Sequence, residues 1–367
     1  MEKKKKTRIR TPLLLFCILM GVTLVLCTTA FGLWFHGRQA LTANVTAPNL
    51  PDQDADPETS TEPETVETAP EAQTEVLERF TLRYNGKEYQ YNEDMCNILL
   101  LGIDADAKPE EPLPYGSDIQ ADVLVLAALD LKNNNMTLLS ISRDTMCDIE
   151  ILDETGESLG FSNSQLALSY AYGDGLARSC ELTCEAVSNL FYGLQIHGYG
   201  AFYLGGIAAL NDTLGGVTVT VLDDFPFTAM GSAYSNMYAG QSVTLTGQQA
   251  RAYIQLRLDD ETGNTLRMQR QKQYMLAMVS QALAAIKENP AKVFSIYSAV
   301  DDYILTDLDL SRISYLATNA TSMAFNGEIR SLEGTLTLGA GNHMELVLDQ
   351  DTLYETILDV FYEEVTE

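Results

Sequence analysis

The chain has 367 residues, 46% of them hydrophobic, enough for one large domain or two small ones around a sizeable core. Acids outnumber bases 51 to 23, a formal charge of −28. That balance argues against nucleic acid as a partner, because a phosphate polyanion needs a basic face. Three histidines and six cysteines leave little material for a His/Cys metal site.

The charge is unevenly placed. Residues 1–38 hold seven bases and one acid, leaving 16 bases and 50 acids for the rest. Residues 1–12 form a basic tail, and Leu13 to Phe35 is a run without a charge, long enough to span a hydrocarbon core. Its length and the lack of an A-x-A site favour an uncleaved transmembrane helix over a signal peptide. Trp34 at its outer end suits a membrane interface, and the basic tail places the N-terminus in the cytoplasm. The expected localisation is therefore the cell membrane, single-pass, with residues 80–367 extracytoplasmic. Residues 36–79, acidic and rich in Thr and Pro, read as a disordered linker.

Beyond the linker, Phe80 to Tyr91 alternates around Asn85-Gly86, the strongest short hairpin signal. Asn97–Ile103 is a continuous apolar run, as in a strand buried on both faces. Asp122–Leu129 and Met136–Ser142 predict two more strands joined by a turn at Lys132-Asn-Asn-Asn. Helices are expected over 165–172, 180–194, 203–214, 246–255 and 266–286, with a strand at 217–221. Met275, Met278, Ala282 and Ile286 mark the apolar face of the last helix. Alternating strands and helices give an α/β class with a largely internal sheet. Of four cysteines outside the span, Cys180 and Cys184 are one helical turn apart, awkward for a disulfide; buried thiols and disulfides both stay open. After Pro290 no chemical motif is evident, and those residues read as packing elements.

Chemistry-bearing groups gather at predicted strand ends and one helix start. Asp104 and Asp106 follow a buried strand, at the mouth of an open sheet. Asp122 begins the next strand, and Arg143-Asp144 ends the one after. In Arg257–Gln271 (RLDDETGNTLRMQRQ), Arg257, Arg267 and Arg270 crowd a helix start with Asn264 as N-cap. Arginines beside a helix N-terminus oppose the dipole unless an anion joins them, which suits phosphate or pyrophosphate. Acids and arginines together suggest a phosphate with a divalent cation. Mg²⁺ takes one or two carboxylates and fills its shell with water and phosphate oxygens, so Asp104 and Asp122 are the candidate metal ligands.

These segments resemble the LytR-CpsA-Psr family of cell-wall glycopolymer ligases, over a motif core of about 97–286. The resemblance rests on Asn97–Asp104, Ala121–Asp130, Leu138–Thr145, Ser169–Gly173, Leu214–Val217, Ala252–Arg257 and Arg267–Gln271, in the expected order. It implies an αβα sandwich with a central mixed sheet and an apolar tunnel, preceded by the transmembrane helix. It also implies a phosphotransferase in a Gram-positive-type bacterium. Such proteins transfer a polyprenyl-pyrophosphate-linked glycopolymer, of teichoic acid or capsule type, to peptidoglycan through a phosphodiester. Carried over by motif, Asp104, Asp122, Arg143 and Arg267 are catalytic, with Mg²⁺ on Asp104 and Asp122. Arg143, Arg257, Arg267, Arg270 and Gln271 bind the pyrophosphate, and Asp144 orients Arg143. The chain departs from the pattern at Gln120 and Gln255, where arginine is usual, at Ser142 for proline, and at Asn264 for aspartate. Asp259 or Asp260 offers a compensating acid. Those departures keep two alternatives in view: a non-catalytic binder of polyprenyl phosphate or wall polymer, and a regulator of the transcriptional-attenuator type.

Overall fold

The computed structural model describes residues 32–43, 45–52, 80–225, 236–256, 263–339 and 343–365. After a helix over 32–42, the first strands are β1 (Thr81–Tyr84) and β2 (Lys87–Tyr91), paired as the expected hairpin. Asn85 and Gly86 at its turn have φ of 53° and 73°, the left-handed pair that a two-residue turn between twisted strands requires. Three long antiparallel strands follow: β3 (Met95–Ile103), β4 (Ala121–Asp130) and β5 (Asn135–Ile141). A second hairpin, β6 (Met146–Leu152) with β7 (Ser158–Gln165), falls where the sequence pattern predicts no strand. β7 reads SLGFSNSQ and is mostly exposed, so it has no buried face to impose an alternation.

The rest of the chain alternates. Helices Ala167–Ala171 and Ala177–Leu190 precede β8 (Gly198–Tyr203). Helix Ile207–Thr213 leads into β9 (Val217–Thr220), which pairs with β10 (Ser242–Leu245). Helix Gly247–Gln255 and the long helix Gly263–Glu288 come next, then helix Lys292–Val300, β11 (Ile304–Thr306) and helix Leu310–Ala320. The chain closes with β12 (Ala324–Ser331), the hairpin β13 (Gly334–Leu338) and β14 (Met344–Leu348), helix Gln350–Phe361 and β15 (Tyr362–Glu364).

Six strands form the central sheet in the order β11-β8-β3-β4-β5-β12. The β3–β8 and β5–β12 pairs are parallel and the others antiparallel, so the expected mixed sheet is present. Side chains alternate across β3. Leu99, Leu101 and Ile103 point into a core shared with Tyr170, Cys180, Val187, Ile357 and Phe361 of the helices on that side. Cys96 and Ile98 point the other way, toward Met275, Val279 and Leu283 of the long helix and Tyr315. Helices on both faces make the expected three-layer α/β arrangement. The opposite side of the long helix, with Tyr274 and Met278, closes a smaller core against Val217, Val219, Ala250 and Tyr253. Residues beyond Pro290 do supply packing, since β11 and β12 are the two sheet edges and Ile357 and Phe361 are fully buried.

The N-terminal segment needs correction. Among the described residues no helix is long and apolar enough to cross a membrane. Residues 13–31 of the expected span lie outside the described residues. Where it is described, the segment packs on the domain: Trp34 lies 5.6 Å from Tyr315, ring to ring, with the Arg38 guanidinium over it, and Leu41 is buried. Trp34 therefore meets protein where a membrane interface was expected, because Tyr315 and the Arg38 cation satisfy the indole face. The transmembrane helix and the single-pass membrane placement built on it are not upheld. The linker expected over 36–79 is also packed where described. Asn49 N donates to Tyr192 O at 2.6 Å and Tyr354 Oη donates to Pro51 O at 2.8 Å. Residues 53–79 lie outside the described residues.

Cys96, Cys147, Cys180 and Cys184 are all free thiols. Burial pushes those of Cys96, Cys147 and Cys184 up to about 12, so they behave as packing groups and not as nucleophiles.

Candidate functional site

The acids expected at strand ends meet at one end of the central sheet. Gly102 pairs with Val123 and Ile103 with Ala121, so Asp122 is an extra residue on β4. Such a bulge bends the strand and re-aims the side chain, here at the edge of the ladder. Asp104 follows directly, exposed, with its N–H on Gln120 O at 3.3 Å. Arg143 leaves the end of β5 beside them. Its Nη1 donates to Asp122 Oδ1 and its Nη2 to Gln120 Oε1. The guanidinium is thus bound on two sides, with Gln120 as a neutral acceptor. Arginine at 120 would instead face Arg143 with a like charge.

Asp144 backs this pair. Its Oδ1 lies 3.8 Å from Arg143 Nε and accepts from Gln165 Nε2 at 3.0 Å, while its backbone O accepts from Leu346 N at 2.8 Å. Burial raises the Asp144 carboxyl above its ordinary range, and Arg143 and His343 pull the other way. The Asp144 contact with Arg143 is a 3.8 Å ion pair without a hydrogen bond.

The helix-borne group divides. Arg257, Asp259 and Asp260 lie outside the described residues. The long helix begins at Gly263, so Asn264 sits inside its first turn and not at its cap. Arg267 is half-buried in the opening turns. Arg270 is 0% exposed and spends its donors internally: Nε on Tyr253 O at 2.9 Å, Nη1 on both Asp223 oxygens at 3.2 and 2.9 Å, and Nη2 on Leu256 O. Phe225 and Tyr253 cover its faces at 5.0 and 5.7 Å. Gln271 donates to Ile254 O at 3.0 Å. Arg270 and Gln271 therefore fasten the long helix to helix Gly247–Gln255 in this structure. The sequence carried that signal, because Arg270 is one turn before the buried Tyr274 and shares its apolar stripe. Its partner Asp223 has no local motif and was missed.

Arg251 was also missed. Its Nε donates to Gln255 Oε1 at 3.0 Å and its Nη2 to Asp106 Oδ1. It stands one helical turn before Gln255, on the same face.

Below the mouth the sheet has an unusual feature. Leu100 lies in the middle of β3, flanked by Val125 on β4 and Gly200 on β8, yet is 40% exposed. A Cβ added to Gly200 would meet only the Leu100 side chain, at 3.7 Å. Met275, Leu276, Val279 and Leu283 of the helix on this face are only partly buried. A central-strand leucine left this open is an exposed apolar side chain on a face that the helical layer otherwise covers. By contrast, the cavity lined by Asn92, Met95, Asp130 and Asn135 is at the other end of β3 and β4.

Among the described residues no three His, Cys, Asp or Glu side chains converge as a metal cluster. Two carboxylates are a donor set that Mg²⁺ uses when phosphate completes its shell, and Asp104 and Asp122 stand at the same end of the β3–β4 ladder.

Residues 58–356 match the LytR_cpsA_psr family model. The chain belongs to this family, the LytR-CpsA-Psr cell-wall glycopolymer ligases. It is 29% identical over 244 residues to the polyisoprenyl-teichoic acid–peptidoglycan teichoic acid transferase TagU of Oceanobacillus iheyensis, covering 66% of this chain and 68% of that one. Over 276 residues it is 24% identical to biofilm regulatory protein A of Streptococcus mutans, covering 73% and 64%. The crystal structure of B. subtilis TagV superposes with a TM-score of 0.53 at 24% identity, over 71% of this chain and 94% of that one. TagT bound to LIIa-WTA gives 0.52 at 23%, over 73% and 89%. These structures establish the shared fold.

Proposed function

We propose that this chain transfers a glycopolymer from a polyprenyl pyrophosphate donor to peptidoglycan through a phosphodiester. The observation that carries the reading is an exposed apolar side chain, Leu100, on the strand whose end brings Asp104, Asp122 and Arg143 together. An exposed apolar surface suits a prenyl chain, and a guanidinium at the end of the same strand suits the pyrophosphate that ends that chain. The names of relatives such as TagU, a teichoic acid–peptidoglycan transferase, point the same way.

In this reading a peptidoglycan hydroxyl oxygen attacks the phosphorus that carries the polymer. The P–O bond to polyprenyl phosphate breaks, and that phosphate leaves with the bond's electron pair. The hydroxyl proton is released to solvent water at this open end of the sheet. Arg143, held by Asp122 and Gln120, stays aimed at the phosphoryl oxygens and stabilises charge as it grows on them. Asp144 and Gln165 fix the approach of Arg143 from behind. Arg267 and Arg257, at and before the start of the long helix, add anion-binding capacity. Arg270 and Gln271 serve by holding that helix in place. Asp104 and Asp122 would hold Mg²⁺, which when bound supplies positive charge to the pyrophosphate.

The full chain, incubated with Mg²⁺, a polyprenyl-pyrophosphate glycan and a peptidoglycan fragment, should yield polyprenyl phosphate and a phosphodiester-linked product by mass spectrometry. Arg143→Gln should abolish both. No turnover with any donor, together with unaltered donor binding by Arg143→Gln, would reject the reading.

A further inference from the structure

We propose that Arg251 is a second anion-binding guanidinium of the mouth, and that the Asp106 carboxylate is its displaceable counter-ion. This rests on the transfer reading above and adds a residue that neither the motif pattern nor the expected site contains.

Arg251 has a rigid base. Helix Gly247–Gln255 is opened by a capping box, in which Gln249 N donates to Thr246 Oγ1 at 3.4 Å and Thr246 N to Gln249 Oε1 at 2.9 Å. Gly247 N is tied to Asp212 Oδ1 at 2.8 Å, and Ala250, Ala252, Tyr253 and Ile254 are buried. Arg251 projects from the other face, and Gln255 one turn on holds its Nε. Its Nη2 reaches Asp106, while among the described residues nothing accepts from its Nη1. One edge of the planar fork is fixed by the protein, and the outer edge faces only an exposed carboxylate.

Asp106 is built to let go. Its backbone is locked: Ala105 O accepts from Leu204 N at 3.0 Å, and Gly205 packs so close that an added Cβ would overlap Asp106 O. Its side chain is 75% exposed. An ion pair this open is weak, because water and salt screen it. A diphosphate brings more charge and two rows of acceptor oxygens to the same fork, so it wins the competition by bidentate geometry as well as by charge. Only the Asp106 side chain needs to rotate.

The placement matches a two-handed grip. Asp104, Ala105 and Asp106 run between Gln120, which Arg143 holds, and Arg251. The two guanidinium groups therefore flank one short loop at the same sheet end. Arg251 recruits Gln255 as a positioning acceptor, which gives that glutamine a role that an arginine at 255 would oppose.

A purely structural pair makes the opposite forecast. If Arg251 and Asp106 only tether loop to helix, removing either one loosens the site. If Asp106 competes with the substrate, removing it tightens binding. The test is calorimetric titration of the full chain with inorganic pyrophosphate in Mg²⁺. Asp106→Ala should bind roughly three- to fivefold more tightly, the release of one exposed charge pair. Arg251→Gln should bind about tenfold more weakly, the loss of charge-assisted bonds to phosphate, and Arg251→Lys should fall between. In the Arg251→Gln background, Asp106→Ala should give no gain. Unchanged or weaker binding by Asp106→Ala, or a gain that survives in Arg251→Gln, overturns the proposal. Binding that vanishes in Arg143→Gln but ignores both other positions sinks this inference and leaves the transfer reading standing. Pyrophosphate bound by none of these proteins, with no donor turnover, sinks both. Circular dichroism melting of each variant separates lost binding from lost folding.

Discussion

Arg270 is where the motif pattern and the structure make different demands. The pattern assigns it to pyrophosphate binding, while the structure surrounds it with protein. Its side chain is 0% exposed, Asp223 is 14% exposed, and the two share a bidentate contact at 3.2 and 2.9 Å. Arg270→Met keeps the length and apolar stem but deletes the charge. It leaves the Asp223 carboxylate without its cation, and removes the Arg270 donors from the Tyr253 and Leu256 carbonyls. Breaking one partner of a buried pair costs about 3–5 kcal/mol. For a domain of this size that is a fall in melting temperature of roughly 10 °C. Asp223→Asn keeps one acceptor oxygen and should cost less, about 1–3 kcal/mol. The double variant should be less destabilised than the sum of the two, because each single change strands a group that the other removes. Urea unfolding of the four proteins gives the cycle. A loss below about 1 kcal/mol for Arg270→Met, with pyrophosphate affinity collapsing in the folded protein, would refute the reasoning and return Arg270 to the substrate.

Three further outcomes follow from the same structure. Leu100→Trp should reshape the exposed apolar surface, raising KM for a long polyprenyl donor about tenfold while leaving a geranyl-length donor and the melting temperature nearly unchanged; equal effects on both donors would mean that no chain lies there. His197 should make folding acid-sensitive: burial lowers its pKa to about 4, so between that value and the ordinary 6.5 the unfolded chain binds the extra proton and stability falls as pH drops through this window. The loss approaches about 3 kcal/mol, and urea midpoints of His197→Gln against the parent at pH 7 and pH 4 should show the difference shrinking in acid. Mg²⁺ should tighten pyrophosphate binding in the parent chain and much less in Asp104→Asn/Asp122→Asn, read by calorimetry with and without EDTA; equal affinity in both conditions would remove the metal from the proposal.

What was legible in the sequence was whatever left a repeating or punctuated pattern. β3 and β4 announced themselves because most of both faces is covered, which favours long apolar runs. The first hairpin was legible because Asn85-Gly86 solves a specific backbone problem. β6 and β7 were not, since an exposed ribbon needs no apolar face. The N-terminal segment misled for the converse reason. Trp34 closes an uncharged run that would suit lipid, and Tyr315 with the surrounding core offers its indole an apolar surface within the protein. Hydropathy measures the wish to leave water and not the destination. At the site, Asp104, Asp122 and Arg143 were placed by their positions at strand ends, which topology brings to one edge. Asp223 and Arg251 had no such cue. Their roles come from long-range pairings with Arg270 and Asp106, 47 and 145 residues away in sequence.

The same pairings explain how so acidic a chain can present an anion site. Every guanidinium with a described ionic partner in this region has a carboxylate on it: Arg143 has Asp122 and Asp144, Arg251 has Asp106, and Arg270 has Asp223. Of these four carboxylates, Asp223, Asp122 and Asp106 span the range of exposure. Asp223 is 14% exposed and its arginine is fully buried and structural; Asp122 is 25% exposed and its arginine is shared between fold and mouth; Asp106 is 75% exposed and its arginine is available. Because screening weakens an ion pair as water reaches it, this gradient is also a gradient in how readily each arginine exchanges its own carboxylate for a substrate phosphate. Among the described residues carboxylates still outnumber arginines at the mouth, with Asp104, Asp106, Asp122 and Asp144 against Arg143 and Arg251. A pyrophosphate entering there meets a deficit of positive charge, and exchange of arginine partners alone does not remove it. A divalent cation does, which is the electrostatic ground for proposing Mg²⁺ on Asp104 and Asp122.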